Sequence, residues 1–311
     1  MQYRKLGSSD LEVSVVAMGC WALGGDEDFW GPVDDNESIA AVQQALDLGI
    51  NLIDTAAAYG VGHSEEIVGK AIAGRRDEAV IATKCGLVWK DKTSPKTRCL
   101  KRDSVIRECE SSLRRLRVEA IDLYQIHWPD PETPIAETME ALVKLREQGK
   151  IRAIGCSNFG CELMSEARRY GPLECLQPPL SMLSRDSCEE LLPYCLEYNM
   201  GVICYGPMAR GLLTGKFDAS STFTDLRKND VNFSGEQFAR NLSLVESLRP
   251  IAEKYGRTLS QLALRWVIQQ PGVTSAIAGA KRASQVRENS GAGDFEISPE
   301  DMMDIETLLT E

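Results

Sequence analysis

The feature that most constrains this chain is an alternation that runs from end to end. Short apolar runs occur at Val15–Met18, Asn51–Asp54, Ala79–Thr83, Ile121–His127, Ile151–Ser157, Glu174–Gln177, Gly201–Tyr205 and Ser275–Ala278. Each is bounded by Gly, Pro or polar residues, as expected of strands covered on both faces. Amphipathic helical stretches lie between them. Asp34 and Glu37 have capping-box spacing ahead of Ile39, Val42 and Leu46, and Gly49 stops that helix. Thr133 and Pro134 read as N-cap and first helical residue before Ile135, Met139, Leu142 and Val143. Asp103 opens a third, with Ile106, Cys109, Leu113 and Leu116 on one face.

Eight such units in 311 residues average about 39 residues each, the size of a β-loop-α-loop module. Parallel strands need such crossovers, and either an open doubly wound sheet or an eightfold barrel satisfies them. Strict alternation through eight units favours an α/β fold of the (β/α)8 TIM-barrel type, one domain over residues 1–311. The Gly7-Ser8-Ser9 turn within Gln2–Glu12 predicts an N-terminal hairpin plugging one end. Pro207–Thr258 is too long for a simple connection between strands seven and eight. Its polar middle, with Phe223, Phe233 and Phe238, predicts an excursion over a ligand site.

Charge narrows the partners. Thirty-five Lys and Arg against 46 Asp and Glu leave a net charge of −11, which repels nucleic acid and anionic membranes. Any anionic ligand must therefore meet a local basic cluster. No apolar run reaches the ~18 residues of a spanning helix, and Asp10 and Glu12 interrupt what would be a signal peptide. The ten cysteines are scattered without a C-x-x-C, as expected of reduced, mostly buried thiols. Together these features predict a cytoplasmic protein acting on a small molecule. No heptads or long apolar surface helices argue for assembly, so a monomer is the default.

In an α/β barrel the chemistry collects at the C-terminal ends of the strands. There the sequence offers Asp54, with Tyr59 five residues on, then Lys84, His127, Ser157 with Asn158, Gln177 and Tyr205. Each alone has an ordinary explanation, such as a helix cap, a rim aromatic, a solvated charge or a structural histidine. A carboxylate, a phenol, an ammonium and an imidazole arriving at one rim outweigh them. Competing chemistries lack their motifs. There is no G-x-S-x-G elbow, and His63 and His127 form no H-E-x-x-H pair, so no metal is expected. The run from Gly211 to Lys216 is one residue short of a phosphate loop, and no G-x-G-x-x-G is complete.

Longer stretches are more specific. Asp54-Thr55-Ala56-Ala57-Ala58-Tyr59-Gly60, with Gly62, Ser64-Glu65 and Val68-Gly69, forms one signature. Met139 through Asn158 forms a second, and Ile277-Ala278-Gly279-Ala280-Lys281, with Gln285 and Asn289, a third. Lys84 after Ile-Ala-Thr and His127 before Trp128 complete a tetrad. On these residues the chain resembles the aldo-keto reductase family along essentially its whole length. The resemblance implies a barrel that binds NADPH/NADP+ without a Rossmann motif and reduces a small carbonyl substrate.

It further implies that Asp54, Tyr59, Lys84 and His127 are catalytic. Ser157, Asn158 and Gln177 match positions that hold the nicotinamide amide, and Tyr205 the position that stacks on its ring. Gly206, Pro207, Arg210, Gly211, Leu213 and Lys216 fall in the segment against the pyrophosphate. Gly279, Lys281, Arg282, Gln285 and Asn289 fall at the adenosine end. Lys281 and Arg282, with Arg287, are the cations that a 2′-phosphate requires. Two positions depart from the family pattern, Ala278 for a frequent Pro and Leu180 for a frequent Tyr. Two alternatives remain: a sugar or polyol dehydrogenase working oxidatively, and a cofactor-sensing regulatory subunit. His127 counts against the second, whose members commonly carry Asn there.

The chemistry so read needs a proton donor for the nascent alkoxide. Tyr59 fills that role, its pKa of about 10 lowered by the Lys84 ammonium, with Asp54 holding the ammonium and His127 orienting the carbonyl. Trp21, Trp30, Trp89 and Trp128 follow strands at the expected mouth and form a candidate substrate rim, while Trp266 reads as core.

Overall fold

The structure, a computed structural model, describes residues 1–25, 30–91 and 94–310. The chain opens with an antiparallel hairpin of β1 (Tyr3–Lys5) and β2 (Glu12–Ser14), then enters a barrel through β3 (Val16–Gly19), β4 (Leu52–Asp54) and β5 (Val80–Cys85). A second, smaller hairpin follows, β6 (Leu87–Val88) with β7 (Thr97–Arg98). The barrel resumes with β8 (Ile121–Ile126), β9 (Ile151–Ser157), β10 (Cys175–Gln177), β11 (Gly201–Cys204) and β12 (Val273–Gly279). All eight barrel strands pair in parallel in sequence order, and β12 closes on β3. The (β/α)8 barrel expected from the alternation is the observed fold.

Helices fill the crossovers. They are α1 (Asp35–Asp47), α2 (His63–Ala71), α3 (Arg102–Leu116), α4 (Ile135–Glu147), α5 (Cys161–Ala167) and α6 (Leu191–Glu197). Between β11 and β12 run α7 (Gly235–Ser247), α8 (Arg249–Lys254) and α9 (Leu259–Ile268). After β12 come α10 (Ala283–Ser290) and α11 (Pro299–Thr310). The α1 cap is as the spacing predicts, with the Asp34 carboxylate accepting the Glu37 N–H at 2.9 Å. The α4 cap is not. Thr133 donates its hydroxyl to Asp130 at 2.7 Å, and the helix starts one residue later, after Pro134. Asp130 also accepts the Leu100 and Glu132 N–H groups, so a charged loop hub takes the hydroxyl.

Side-chain alternation in the strands stacks the barrel interior in layers. Leu52, Ala82, Leu123, Ala153, Cys175, Ile203 and Ile277 form an apolar floor, closed from below by Leu6, Leu11 and Val13. The N-terminal hairpin is thus the plug that the sequence predicts. Two residues further along five of these strands, the same inward parity presents Asp54, Lys84, Gln125, Gln177 and Tyr205. One alternation therefore produces both the apolar floor and the polar layer above it. Around the outside, helices bury an apolar shell that includes Trp266 on α9, 1% exposed, its Nε1 donating to Glu306 at 3.2 Å.

The excursion after β11 is more ordered than its polar composition suggests. Phe217, Phe223, Phe233 and Phe238 gather around Leu212 with ring centroids 4.9–6.3 Å apart, mostly edge to face. All ten cysteines are free thiols, and only Cys99, Cys161 and Cys188 are half-exposed. Among the described residues, no helix is long and apolar enough to cross a membrane. No group of three or more His, Cys, Asp or Glu among them is arranged to hold a metal ion.

Candidate active site

At the C-terminal rim, β4 and β5 bring Asp54 and Lys84 together inside the barrel. Lys84 Nζ donates to both Asp54 carboxylate oxygens at 2.8 and 2.9 Å, and to the Thr55 carbonyl at 2.9 Å. It also donates to the Tyr59 hydroxyl at 3.3 Å. Lys84 lies inside β5, one residue beyond the strand end read from the sequence, because its stem packs within the lumen. Removing either partner of so buried a pair strands a charge, at a cost of about 3–5 kcal/mol.

Tyr59 reaches this pair through a glycine-dependent turn. Gly60 and Gly62 have φ of +59° and +95°. A Cβ on Gly60 would fall 1.9 Å from the Gly24 carbonyl oxygen, so only glycine lets the two backbones touch. That contact brings the short helix Trp21–Gly24 against the turn. Trp21 then lies 6.1 Å from the Tyr59 ring and edge-on to Trp30 at 5.5 Å. His127, immediately after β8, stands edge-on to Tyr59 with centroids 5.8 Å apart.

Electrostatics here differ from the expectation in one respect. The Lys84 ammonium does pull the Tyr59 pKa down, but burial outweighs it, and the phenol is pushed up to about 12. Tyr59 is therefore held as a neutral hydroxyl, and Lys84 limits a rise that burial would make larger. Burial would lower the Lys84 pKa, yet Asp54 and Tyr59 offset it and hold it above the usual lysine value. His127 is held well below the usual imidazole range by burial and by the charges of Lys84 and Lys96. It is a neutral ring at physiological pH, able to donate one N–H.

A second group surrounds the first. The Gln177 amide donates to Asp54 at 2.8 Å and, more weakly, to Gln125 at 3.4 Å. Ser157 donates to the Gln177 carbonyl at 2.7 Å. Asn158, at a φ of +62°, donates to the His127 carbonyl at 2.9 Å and accepts the Tyr205 hydroxyl at 2.9 Å. One network thus joins Asn158, Tyr205 and the backbone of His127. Trp128 is exposed beside His127, and Trp89 is half-buried after β6.

The anticipated cofactor segments vary. Gly206 and Gly279, at the ends of β11 and β12, face open space where a Cβ would meet nothing within 4 Å. Ala209, Arg210 and Gly211 adopt φ of +46°, +55° and +91° in succession, a strained turn of the kind that gathers at binding sites. Arg210 pairs with Asp230 at 2.5 Å. Pro207 and Leu213 are buried, and the Leu213 N–H is spent on Met208 at 3.3 Å. At the other end, Lys281 Nζ donates to the Trp30 carbonyl, and Arg282 lies 3.6 Å from Glu37. The Gln285 amide oxygen accepts the Lys281 and Arg282 N–H groups, while Asn289 is buried. Arg287 reaches Gln44 at 2.5 Å.

Two residues escaped the sequence reading. Gln125 is fully buried beside Gln177, and its Nε2 has no partner. The strand alternation placed it inward, two residues before His127, and that was its available signal. Arg227 lies 5.3 and 5.2 Å from the Phe217 and Phe223 rings and 6.0 Å from Trp30. Nothing local in Asp225-Leu226-Arg227-Lys228 marks it. With Lys216 and Lys281 it forms a crowded basic set. Burial and neighbouring cations, Arg227 among them, hold both ammonium pKa values below the usual lysine value.

Comparison with known proteins decides the lineage. The model of the Aldo/keto reductase family matches residues 15–310. The chain belongs to that family. It is 43% identical to aldo-keto reductase YhdN of Bacillus subtilis, over 99% of this chain and 94% of the relative. It is 37% identical to the NADH-specific methylglyoxal reductase of Escherichia coli, over 95% and 94%. Its structure superposes on glycerol dehydrogenase AKR11B4 of Gluconobacter oxydans with a TM-score of 0.94 at 42% identity, covering 99% of this chain and 95% of that one. Aldo-keto reductases are oxidoreductases that use nicotinamide cofactors, and this chain shares their barrel.

Proposed function

We propose that the protein is an NADPH-dependent carbonyl reductase in which Tyr59 is the general acid. The observation that carries this reading is the Lys84 ammonium, locked to Asp54, at 3.3 Å from the Tyr59 hydroxyl. Because Lys84 donates to the phenol oxygen, the phenol's own proton is free to point into the mouth. His127, neutral and edge-on to Tyr59, donates to the same substrate oxygen and fixes the carbonyl between them. A bound reduced nicotinamide supplies the hydride. As the C–H bond forms, the carbonyl π pair moves to oxygen, and the Tyr59 proton passes to it. Lys84 then stabilises the phenolate left behind.

The residues suit such a cofactor. The Gln177, Ser157 and Asn158 polar groups, flanked by Tyr205, fit a flat ring that carries an amide. The open ground over Gly206 and Gly279 fits a chain of phosphates. Asp225, paired with Arg227, only partly offsets the repulsion among Lys216, Arg227 and Lys281, and phosphate oxygens would relieve it further. Lys281 and Arg282 at the start of α10 favour NADPH over NADH. The Escherichia coli relative named NADH-specific makes that preference the point to measure. The deciding experiment follows cofactor oxidation with NADPH and NADH in parallel against aliphatic, aromatic and dicarbonyl compounds. Failure to turn over any of them would overturn the reading.

The similarity to a glycerol dehydrogenase supports a second reading, the same site working oxidatively on a polyol. The raised Tyr59 pKa favours reduction at neutral pH, since oxidation needs the phenolate as base.

A further inference from the structure

The rim of this acidic protein is unevenly charged. Within residues 90–102 stand Lys90, Lys92, Lys96, Arg98, Lys101 and Arg102 against Asp91 alone. Its described residues belong to the β6–β7 hairpin and its return to α3, which begins just after β5 ends at Cys85, next to Lys84 at the catalytic end of the barrel.

Its root is firmly held. Arg98 pairs across the hairpin with Leu87, and the Cys99 N–H donates to the Gly86 carbonyl at 3.1 Å. Leu100 N–H donates to Asp130 at 3.0 Å. Gly86 has a φ of +91°, and a Cβ there would strike the Leu100 side chain at 2.4 Å, so glycine lets the hairpin settle onto the strand end.

Arg98 is consequently placed rather than waving. Its guanidinium lies over the Trp128 indole, 5.4 Å from the ring centroid, and Trp128 adjoins His127 in the chain. The side chain is exposed, and no carboxylate among the described residues pairs with it. Its neighbour in the segment, Arg102, does pair, with Glu140. The Lys96 ammonium is within electrostatic reach of the His127 ring. A planar cation resting on an indole keeps its fork of N–H donors outward, which suits two oxygens of one anion.

We propose that Arg98, seated on Trp128, forms an anion subsite that selects carbonyl substrates bearing a carboxylate or phosphate a few bonds from the reacting carbon. The inference rests on the carbonyl-reductase reading and adds its substrate class. The subsite binds a spectator group that does not react. Tyr59 and His127 handle the oxygen that does. On a surface carrying net negative charge, this patch also gives an anionic substrate one place to approach.

The test uses matched aldehydes with the intact enzyme and its reduced cofactor. Butanal is compared with 4-oxobutanoate, and glyceraldehyde with its 3-phosphate. At low salt the anionic member of at least one pair should show kcat/KM ten times that of its neutral partner, mainly through KM. Potassium chloride should erode the advantage. An advantage in one pair only assigns the subsite to carboxylate or to phosphate. Arg98→Ala should bring the anionic-to-neutral ratio down at least fivefold, and Arg98→Glu should invert preference towards betaine aldehyde, a cationic probe. Parity within both pairs in the wild type, or a ratio that Arg98→Ala leaves within twofold, overturns the subsite while the reductase reading stands. No reduction of any of the four removes both.

Discussion

The Gln177 amide nitrogen and the Lys84 ammonium both donate to Oδ1 of Asp54, each at 2.8 Å. One carboxylate therefore positions both the proposed proton-transfer machinery and the residue expected to grip the cofactor amide. Gln177→Ala should lose the charge-assisted hydrogen bond to Asp54 and an ordinary amide hydrogen bond to the cofactor. Its cofactor Kd, read by quenching of tryptophan fluorescence, should rise roughly tenfold. An unchanged Kd would remove Gln177 from the cofactor site.

Tyr59→Phe keeps the ring against Trp21 and His127 but removes the acid. Carbonyl reduction should fall by about 10²–10⁴, with cofactor Kd within about twofold of wild type. Steady-state turnover and a binding titration on the same preparation check this. Near-normal turnover would mean that another group delivers the proton.

The two reaction directions should part company with pH. Reduction needs the protonated phenol, present at all pH values well below about 12, and His127, held well below the usual imidazole range by burial, is neutral around neutral pH and above. The kcat/KM for reduction should thus be flat between about pH 6 and 9. Alcohol oxidation needs the phenolate, whose fraction grows about tenfold per pH unit over the same span. Parallel profiles would contradict the assignment of the acid.

Lys281→Ala and Arg282→Ala should raise the KM for NADPH about tenfold or more while shifting that for NADH by less than about threefold, since only NADPH carries the 2′-phosphate. Equal losses with both cofactors would place these cations on the shared pyrophosphate.

Glu108 offers a stability test away from the chemistry. Its carboxylate accepts the Gly86 N–H at 2.9 Å and the Ser104 hydroxyl at 3.0 Å, and burial pushes its pKa up to about 7. A folded pKa above the unfolded value of about 4.5 gives stability that is complete below about pH 4.5 and lost as pH climbs through 7. The wild type should lose on the order of 3 kcal/mol over that interval relative to Glu108→Gln. Denaturant midpoints of the pair at several pH values measure the difference. A constant gap would show that Glu108 titrates normally.

Much of this architecture was legible because it follows from periodicity. All eight barrel strands begin and end within two residues of the apolar runs that mark them, and inward parity explains why Leu52 belongs to the floor and Asp54 to the site. The family signatures add Tyr59, which no strand carries. What stayed hidden depends on contacts between distant segments. The direction of the Tyr59 shift is a contest between burial and Lys84 that only the packed site resolves. Thr133 gave its hydroxyl to Asp130 because the hub is assembled from residues 100 to 133, beyond any local capping rule. Arg227 sits by Trp30 only once the phenylalanine cluster has folded the excursion back over the barrel.

The Leu6 and Leu11 side chains that seal the barrel floor have a kinetic consequence. With that end stoppered and the strands' own side chains filling the lumen above it, anything the barrel takes up enters and leaves by the rim where Asp54 and Lys84 lie. A coenzyme and its reaction partner would then share one doorway, and the deeper of the two would be first in and last out.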